Sequence, residues 1–356
     1  MTFPSRIASE LSLFTPVSMD TERVELHGHY NLEDDCVNRV FMFPGQSSRY
    51  PEMLQRVVEA FPPAKTIVEQ ASDILGRNLL SLYQVGETVF DRNQDVQVGV
   101  FLTSHLYLKV LEDNGVDASM SLGLSLGEYN HLVHIGAIDF ANALVLVDAR
   151  GRVYDEGPRG MMAALFPIEA DEIEDLISRA SKTGCVQIAN YNTPSQVVVA
   201  GESAAVLEAV RIAENDFSID PVIIEKQIPM HTGVFKCVSE ALLPHLKAAN
   251  FRAPSRPYVS NVVGGIVEDA GPEQIIELLA QHVYSPVLWR QAIDTIVARH
   301  PHSVFVEVGP RGVLYNMLQK RWHANPKFKT DVSDDLTANI GSIRAGVKSL
   351  AREARI

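Results

Sequence analysis

Gly123-Leu-Ser-Leu-Gly127 has the form Gly-x-Ser-x-Gly and lies between a short strand candidate, residues 118–122, and a helical pattern, residues 127–135. A serine in such a sharp strand-to-helix turn presents its hydroxyl at the carboxyl edge of a sheet. Flanking glycines suit the turn because a Cβ atom would clash there. The first amides of the next helix can stabilise an oxyanion at the same point. The pattern makes Ser125 a candidate nucleophile; a glycine-rich turn with an incidental serine is the alternative.

The segments around this turn alternate between strand and helix patterns. Residues 40–43 are apolar and stop at Pro44-Gly45, which predicts a strand. Helical periodicity follows at residues 50–60, 97–114, 127–135 and 140–154. Strands that alternate with helices predict a parallel α/β sheet.

The order of the patterns changes after Gly157-Pro158. Residues 158–227 are predicted to run strand, helix, strand, strand, helix, strand, which is the ferredoxin-like order. We therefore expect a small ferredoxin-like subdomain at 158–227, inserted in a large one made of 40–157 and 228–322. Residues 1–39 are expected to be an N-terminal extension. Residues 323–356 are expected to be a C-terminal helical tail, either solvated or at an interface.

Composition limits the classes of function. The chain has 356 residues, of which 46% are hydrophobic and 21% charged, as in ordinary globular proteins. A formal charge of −13 without a basic run argues against nucleic acid as a ligand. The sequence has neither a secretory signal pattern nor an apolar stretch long enough to span a bilayer. We therefore expect no membrane contact and a cytoplasmic location.

Metal and redox chemistry find little support in the sequence. Cys36, Cys185 and Cys237 are far apart, which offers neither a disulfide framework nor a paired metal ligand. His27 and His29 form a His-Gly-His stretch, but no further ligands accompany them. No metal site is predicted.

Six blocks, in order, give the chain a family resemblance over residues 40 to about 321. It resembles the malonyl-CoA:acyl-carrier-protein transacylases, the acyltransferases of fatty-acid and polyketide synthesis. The similar blocks are Phe43-Pro-Gly-Gln-Ser47, Gly123-Leu-Ser-Leu-Gly-Glu128, Ala149-Arg-Gly151 with Gly160-Met-Met-Ala-Ala164, Asn192-Thr-Pro-Ser-Gln-Val-Val-Val-Ala-Gly201, Ser260-Asn-Val262 and Glu307-Val-Gly-Pro310. The resemblance implies an α/β-hydrolase-like core with a parallel sheet and an inserted ferredoxin-like subdomain.

The resemblance also implies catalytic roles. Ser125 would attack an acyl thioester, and His231 would be its general base, which a serine needs because it is a weak nucleophile at its own pKa. The backbone N–H groups of Gln46 and Leu126 would form the oxyanion hole.

The family orients its histidine with a backbone carbonyl from a loop before a Pro-Val pair. In this chain the loop is Gln281-His-Val-Tyr-Ser-Pro-Val287. The family usually has glutamine four residues before the proline, where this chain has His282, with Gln281 one residue earlier. A contact through the main chain would tolerate the change, but a side-chain role is in doubt.

Three residues bear on the substrate. Arg150 matches the family's substrate-binding arginine, whose two parallel donors suit a carboxylate, so malonyl is the leading acyl group. Gln97 is expected to line the pocket, with a capping or packing role as the alternative. Met230 replaces the usual aromatic residue before the catalytic histidine, which leaves malonyl, a substituted malonyl or another acyl unit open.

The implied reaction is transfer of the acyl group from acyl-CoA, through a Ser125 acyl-enzyme, to the phosphopantetheine thiol of an acyl carrier protein. It needs no metal or redox cofactor. An acyl-thioester hydrolase on the same fold is the first alternative. A non-catalytic module that binds carrier protein is the second.

Overall fold

The computed structural model describes residues 38–84 and 86–353. They belong to one compact unit, Asp35–Ile356. Most of the predicted N-terminal extension, including His27, His29 and Cys36, therefore lies outside the described residues. Within them, no helix is long and apolar enough to cross a membrane. The same residues contain no group of three or more His, Cys, Asp or Glu side chains that could hold a metal ion.

The strands follow the predicted order closely. Over the described residues they are β1 (Arg39–Phe43), β2 (Met120–Gly123), β3 (Met161–Leu165), β4 (Val186–Thr193), β5 (Gln196–Gly201), β6 (Val222–Glu225), β7 (Tyr258–Ser260), β8 (Gly265–Val267), β9 (Val304–Glu307) and β10 (Lys327–Lys329).

The helices between them cover both predicted and unpredicted segments. They are α1 (Met53–Ala60), α2 (Ala64–Leu75), α3 (Leu79–Leu82), α4 (Asn93–Asp113), α5 (Gly127–His134), α6 (Phe140–Asp155), α7 (Ala170–Ala180), α8 (Ser203–Asp216), α9 (Lys236–Ala248), α10 (Pro272–His282), α11 (Trp289–Arg299), α12 (Val313–Met317) and α13 (Leu336–Glu353).

A parallel sheet with the strand order β10-β9-β1-β2 forms the first layer, as the alternating pattern predicts. β1 is central and its apolar residues 40–43 are fully buried, which is typical of a parallel strand covered on both faces. The carboxyl ends of β1 and β2 lie side by side, with Phe43 paired to Gly123. The segments that follow β1 and β2 therefore lie next to each other at the carboxyl edge of the sheet.

An antiparallel sheet with the order β4-β5-β3-β6 forms the second layer. Its four strands and the helices α7 and α8 follow one another as β-α-β-β-α-β, which confirms the ferredoxin-like prediction. Val199, Leu176 and Ile212 belong to a hydrophobic cluster separate from that of the parallel sheet. A third, two-stranded sheet joins β7 to β8.

The C-terminal segment differs from the helical tail predicted at 323–356. Residues 327–329 form β10, which pairs with β9 at the edge of the parallel sheet. Three residues in the order Lys-Phe-Lys are too short to give a strand pattern in the sequence. Helix α13 buries Ile340, Ile343 and Val347, which recur on one face among small and polar residues. One face of α13 is thus part of the main hydrophobic cluster.

Candidate active site

The turn Gly123–Gly127, called the elbow below, connects β2 to α5 in the tight geometry that its glycines predict. Ser125 has a φ of 51°, in the left-handed region. A Cβ atom on Gly123 would lie 2.0 Å from the carbonyl carbon of Gly127, and one on Gly127 would lie 2.0 Å from the Phe43 oxygen. No side chain fits in either place, so both glycines are required by close backbone contact.

Ser125 and His231 lie in direct contact although they are far apart in the chain. The Ser125 Oγ atom is 2.7 Å from His231 Nε2. On the other side of the ring, His231 Nδ1 is 2.8 Å from the carbonyl oxygen of His282. Because a carbonyl only accepts, Nδ1 carries the proton and the Nε2 lone pair faces the serine hydroxyl. This is the geometry in which a histidine can activate a serine.

The carbonyl beside His231 is available because His282 is the last residue of α10. The final carbonyls of a helix have no partner within it, and the helix dipole places partial negative charge there. Of the two predicted loop residues, His282 contacts His231, whereas the Gln281 side chain is exposed. The end of a helix thus occupies the place that a carboxylate has in a Ser-His-Asp triad.

Burial lowers the pKa of His231 well below its ordinary value, and the neighbouring charge of His282 adds to the effect. His231 is therefore neutral near pH 7 and can accept a proton.

The depressed pKa of His231 predicts how its reaction depends on pH. We expect the rate of acylation of Ser125 to stay level as the pH falls from about 8 to about 6.5, the ordinary histidine value, and to decline only below it. Rapid-quench measurement of acyl-enzyme formation at saturating acyl-CoA would give this profile. An inflection at or above pH ~6.5 would contradict the assignment of His231 as the base.

Folding must be checked at each pH in that experiment. Burial also lowers the pKa of His131 and His134, and lowers that of His105 to about 3. The unfolded chain binds protons near pH 6.5 and the folded chain does not, so stability is lost as the pH falls below about 6.5. Circular dichroism of each sample separates this loss from titration of His231.

Two main-chain donors are free beside Ser125. Leu126 immediately precedes α5, and Gln46 follows β1. Within the described residues, neither N–H donates a hydrogen bond. The Gln46 side chain instead donates to Asn93 Oδ1 at 3.1 Å, so only its main chain is available. These are the two amides that the resemblance implies for the oxyanion hole.

Arg150 is buried in α6 next to the serine. Its Nη1 donates to Gln97 Oε1 at 2.6 Å and its Nη2 lies 3.5 Å from Ser125 Oγ. The guanidinium lies over the rings of Tyr154 and Tyr129, at 4.2 and 5.4 Å. Among the described residues no carboxylate forms an ion pair with it, and only 1% of Arg150 is exposed. Because a buried cation without a counter-charge is costly, this arrangement favours an anionic ligand.

Gln97 adds a second unsatisfied donor at this point. Its Nε2 atom is buried and has no hydrogen-bond partner in the described part of the chain. A ligand oxygen between Gln97 and Arg150 would satisfy both groups.

The cavity at Ser125 has a mixed lining and a volume of about 60 Å³. Its apolar side is formed by Leu124, Met162, Ile224 and Met230. Polar residues also line it, namely Gln46, Ser47, Arg49, Asn190 and Glu225. Met162 and Ile224 come from the antiparallel sheet, whereas Leu124 belongs to the elbow. The cavity thus lies between the two layers, and Met230 lies against it as predicted from its place before His231.

Asn261 was not predicted as a site residue from the sequence, although the similar block Ser260-Asn-Val262 contains it. Its Oδ1 accepts from the Ser125 N–H at 3.0 Å, and its Nδ2 donates to the Gly123 carbonyl at 2.7 Å. It therefore holds both sides of the serine within the elbow.

Comparison with known proteins identifies the family of the chain. A family model described as acyl transferase domain matches residues 40–350. Malonyl CoA-acyl carrier protein transacylase of Bacillus subtilis (strain 168) is 30% identical over 306 residues, 84% of this chain and 95% of that protein. The crystal structure of MCAT from Streptococcus pneumoniae is 30% identical with a TM-score of 0.77, over 85% of this chain and 99% of that one.

A further solved structure is a malonyl-transacylase in complex with a type II polyketide synthase acyl-carrier protein. It is 29% identical with a TM-score of 0.77, over 86% of this chain and 99% of that one. The resemblance inferred from the six blocks is confirmed, and the chain belongs to the acyl transferase domain family, that of the malonyl-CoA:acyl-carrier-protein transacylases.

Proposed function

We propose that this protein transfers a malonyl group from CoA to the phosphopantetheine thiol of an acyl carrier protein. The relatives named above are malonyl-CoA:acyl-carrier-protein transacylases, and one related structure contains a carrier protein. The observation that carries the choice of acyl group is the buried guanidinium of Arg150, which lies 3.5 Å from the Ser125 hydroxyl and has no carboxylate partner among the described residues.

The first half of the reaction loads the enzyme. Ser125 Oγ attacks the thioester carbonyl while His231 Nε2 takes the hydroxyl proton. The carbonyl oxygen becomes an oxyanion, which the main-chain amides of Gln46 and Leu126 stabilise. The intermediate collapses, the carbon–sulfur bond breaks, and CoA leaves as a thiol with the proton from His231.

The second half repeats these steps with the carrier thiol. His231 takes the thiol proton, the sulfur attacks the Ser125 ester, and the serine oxygen leaves with the returned proton. Each step moves only an acyl group and a proton, so we propose that neither a metal nor a redox cofactor takes part.

The malonyl carboxylate would lie between Arg150 and Gln97. A guanidinium offers parallel donors to a carboxylate, and Gln97 Nε2 supplies another. The cavity between Met230 and Met162 would hold the acyl α-carbon. An α-substituted acyl group would have to displace one of these flexible side chains.

We also propose the division of the chain predicted above, with residues 158–227 as a small subdomain inserted between 40–157 and 228–322. The separate sheet and hydrophobic cluster of the small part support it. A cytoplasmic location is proposed as well, since the described cysteines, Cys185 and Cys237, are free thiols.

The direct test of the proposed function is the mass of a carrier protein. Holo carrier, malonyl-CoA and enzyme should give carrier that is heavier by one malonyl group, with stoichiometric release of CoA. The control contains apo carrier, which lacks the phosphopantetheine thiol and should stay unmodified. Free malonate with unmodified holo carrier would instead identify an acyl-thioester hydrolase.

A further inference from the structure

Glu128, in the first turn of α5, is a buried carboxylate that the proposed reaction steps do not use. Only 1% of it is exposed. Its Oε1 accepts a hydrogen bond from the Tyr258 hydroxyl at 2.7 Å, and its Oε2 accepts one from Asn261 Nδ2 at 2.8 Å. The same Oε2 lies 2.9 Å from His282 Nδ1. A buried carboxylate is costly unless it is fully paired, so this arrangement calls for an explanation.

One connection leads from Glu128 to the nucleophile. A carboxylate only accepts hydrogen bonds, so the Asn261 amide must turn its Nδ2 towards Glu128. This leaves Asn261 Oδ1 to accept from the Ser125 N–H at 3.0 Å. Ser125 has a left-handed φ, a conformation that persists only where neighbouring groups hold it. Glu128, together with the Gly123 carbonyl, thus fixes the orientation of the side chain that holds the serine backbone.

A second connection leads from Glu128 to the base. The contact with His282 is attractive only if Nδ1 of that ring carries a proton. The carbonyl of the same residue accepts from His231 Nδ1, and the two imidazole rings stack with centroids 4.8 Å apart. Side chain and main chain of His282 therefore link Glu128 to His231 within a single residue.

Tyr258 completes the surroundings of the carboxylate. Burial, together with the charge of Glu128, raises the pKa of Tyr258 well above its ordinary value. Tyr258 stays protonated and remains a donor. The carboxylate is thereby held from three sides by groups on β7, the segment after β7 and the end of α10.

We propose that Glu128 is a positioning residue that aligns the nucleophile and the base at once, through Asn261 to Ser125 and through the His282 side chain to His231. The inference rests on the proposed function. It assigns His282 a side-chain role beyond the use of its carbonyl. Because Arg150 and Gln97 make no contact with Glu128 among the interactions of the described residues, alignment and substrate binding are separable.

The test compares acylation with binding. Glu128→Gln should lower the single-turnover rate of acylation by malonyl-CoA about 10² fold, since the amide presents an N–H₂ group where donors converge. Affinity for malonyl-CoA, measured by calorimetry in the Ser125→Ala background, should change less than about threefold. Glu307→Gln is the control: it changes another fully buried carboxyl group, which accepts from the Tyr315 N–H, and should acylate normally.

Variants of His282 separate positioning from packing. His282→Ala removes the donor to Glu128 and should slow acylation roughly 10–100 fold, whereas His282→Gln restores an N–H donor and should recover most of the rate. The Glu128→Gln/His282→Ala double variant should lose less than the product of the single losses, because both changes remove the same contact between Glu128 and His282. Thermal unfolding of each variant identifies any that do not fold. If Glu128→Gln does not fold, the positioning role is tested by comparing the acylation rates of His282→Ala and His282→Gln.

Normal acylation of Glu128→Gln, or equal losses of its affinity for malonyl-CoA and of its acylation rate, would overturn the inference. So would a double variant whose loss of acylation rate equals the product of the single losses. A His282→Gln enzyme that acylates as slowly as His282→Ala would overturn it as well. A fluorophosphonate probe, which reacts with an activated serine without acyl-CoA recognition, should rank the variants in the same order. A wild-type enzyme that reacts with the probe but not with malonyl-CoA would refute the proposed function and leave the positioning role supported.

Discussion

Replacing Ser125 by alanine is expected to abolish the acyl-enzyme and to reduce malonyl transfer by roughly 10⁴ fold or more, as when other serine nucleophiles are removed. The substitution deletes the one oxygen that contacts His231 Nε2, at 2.7 Å, and leaves the ring without a proton to accept. Fold and substrate affinity should be retained, because the elbow is held by the main chain and by Asn261. Intact-protein mass after mixing with malonyl-CoA measures the adduct.

Ser121→Ala is a suitable control for this experiment. Ser121 is buried in β2, two positions before the elbow, and contacts His131 and His134 rather than His231. It should acquire the malonyl adduct. If the adduct also forms on the Ser125→Ala enzyme, Ser125 is not the nucleophile.

Replacing Arg150 by alanine is expected to change which acyl group the enzyme accepts. Loss of a buried charged partner typically costs about 3–5 kcal/mol, so acylation by malonyl-CoA should fall by roughly 10²–10³ fold or more. The acetyl group has no carboxylate that could contact Arg150. The rate of acylation by acetyl-CoA, which is lower in the wild type, should therefore change less than about tenfold in Arg150→Ala. The ratio of the two values of kcat/KM for acylation measures the effect.

Two further variants sharpen the interpretation of Arg150. Arg150→Lys keeps the charge without the paired donors and should give an intermediate ratio, since the two side chains are not equivalent at a carboxylate. Arg152→Ala, two residues along α6 at an exposed position, should behave as wild type. Equal losses for malonyl-CoA and acetyl-CoA in Arg150→Ala would remove Arg150 from the acyl site.

Much of the fold follows from local sequence pattern. The apolar run of β1, the alternating elements around it and the order of the small sheet depend on short-range periodicity, which a single sequence displays. The elbow glycines likewise reflect a local steric demand. In contrast, β10 and the docking of α13 depend on contacts with β9 and the main core, which no local pattern of Lys-Phe-Lys can express.

The candidate site likewise contains residues that a local motif predicts and residues that only long-range contacts reveal. Ser125 has a local motif, but eleven histidines are present in the sequence, and only the family resemblance singled out His231. The role of Glu128 could not be inferred from spacing because its partners, Asn261 and His282, are more than 130 residues away. His282 was expected to act through its main chain alone, and its contact with Glu128 became visible only in three dimensions.

The central claim, that Ser125 carries a malonyl group during transfer, is tested most directly by trapping the loaded enzyme before any carrier is added. The protein is mixed with malonyl-CoA, methylmalonyl-CoA or acetyl-CoA and quenched in acid. Mass spectrometry then gives the mass of the intact protein, and peptide mapping locates the adduct. We predict one malonyl group per chain, located on the peptide that contains Ser125, with much lower occupancy from the other two esters. An adduct on another residue, or no adduct with malonyl-CoA while another ester loads Ser125 fully, would contradict the account.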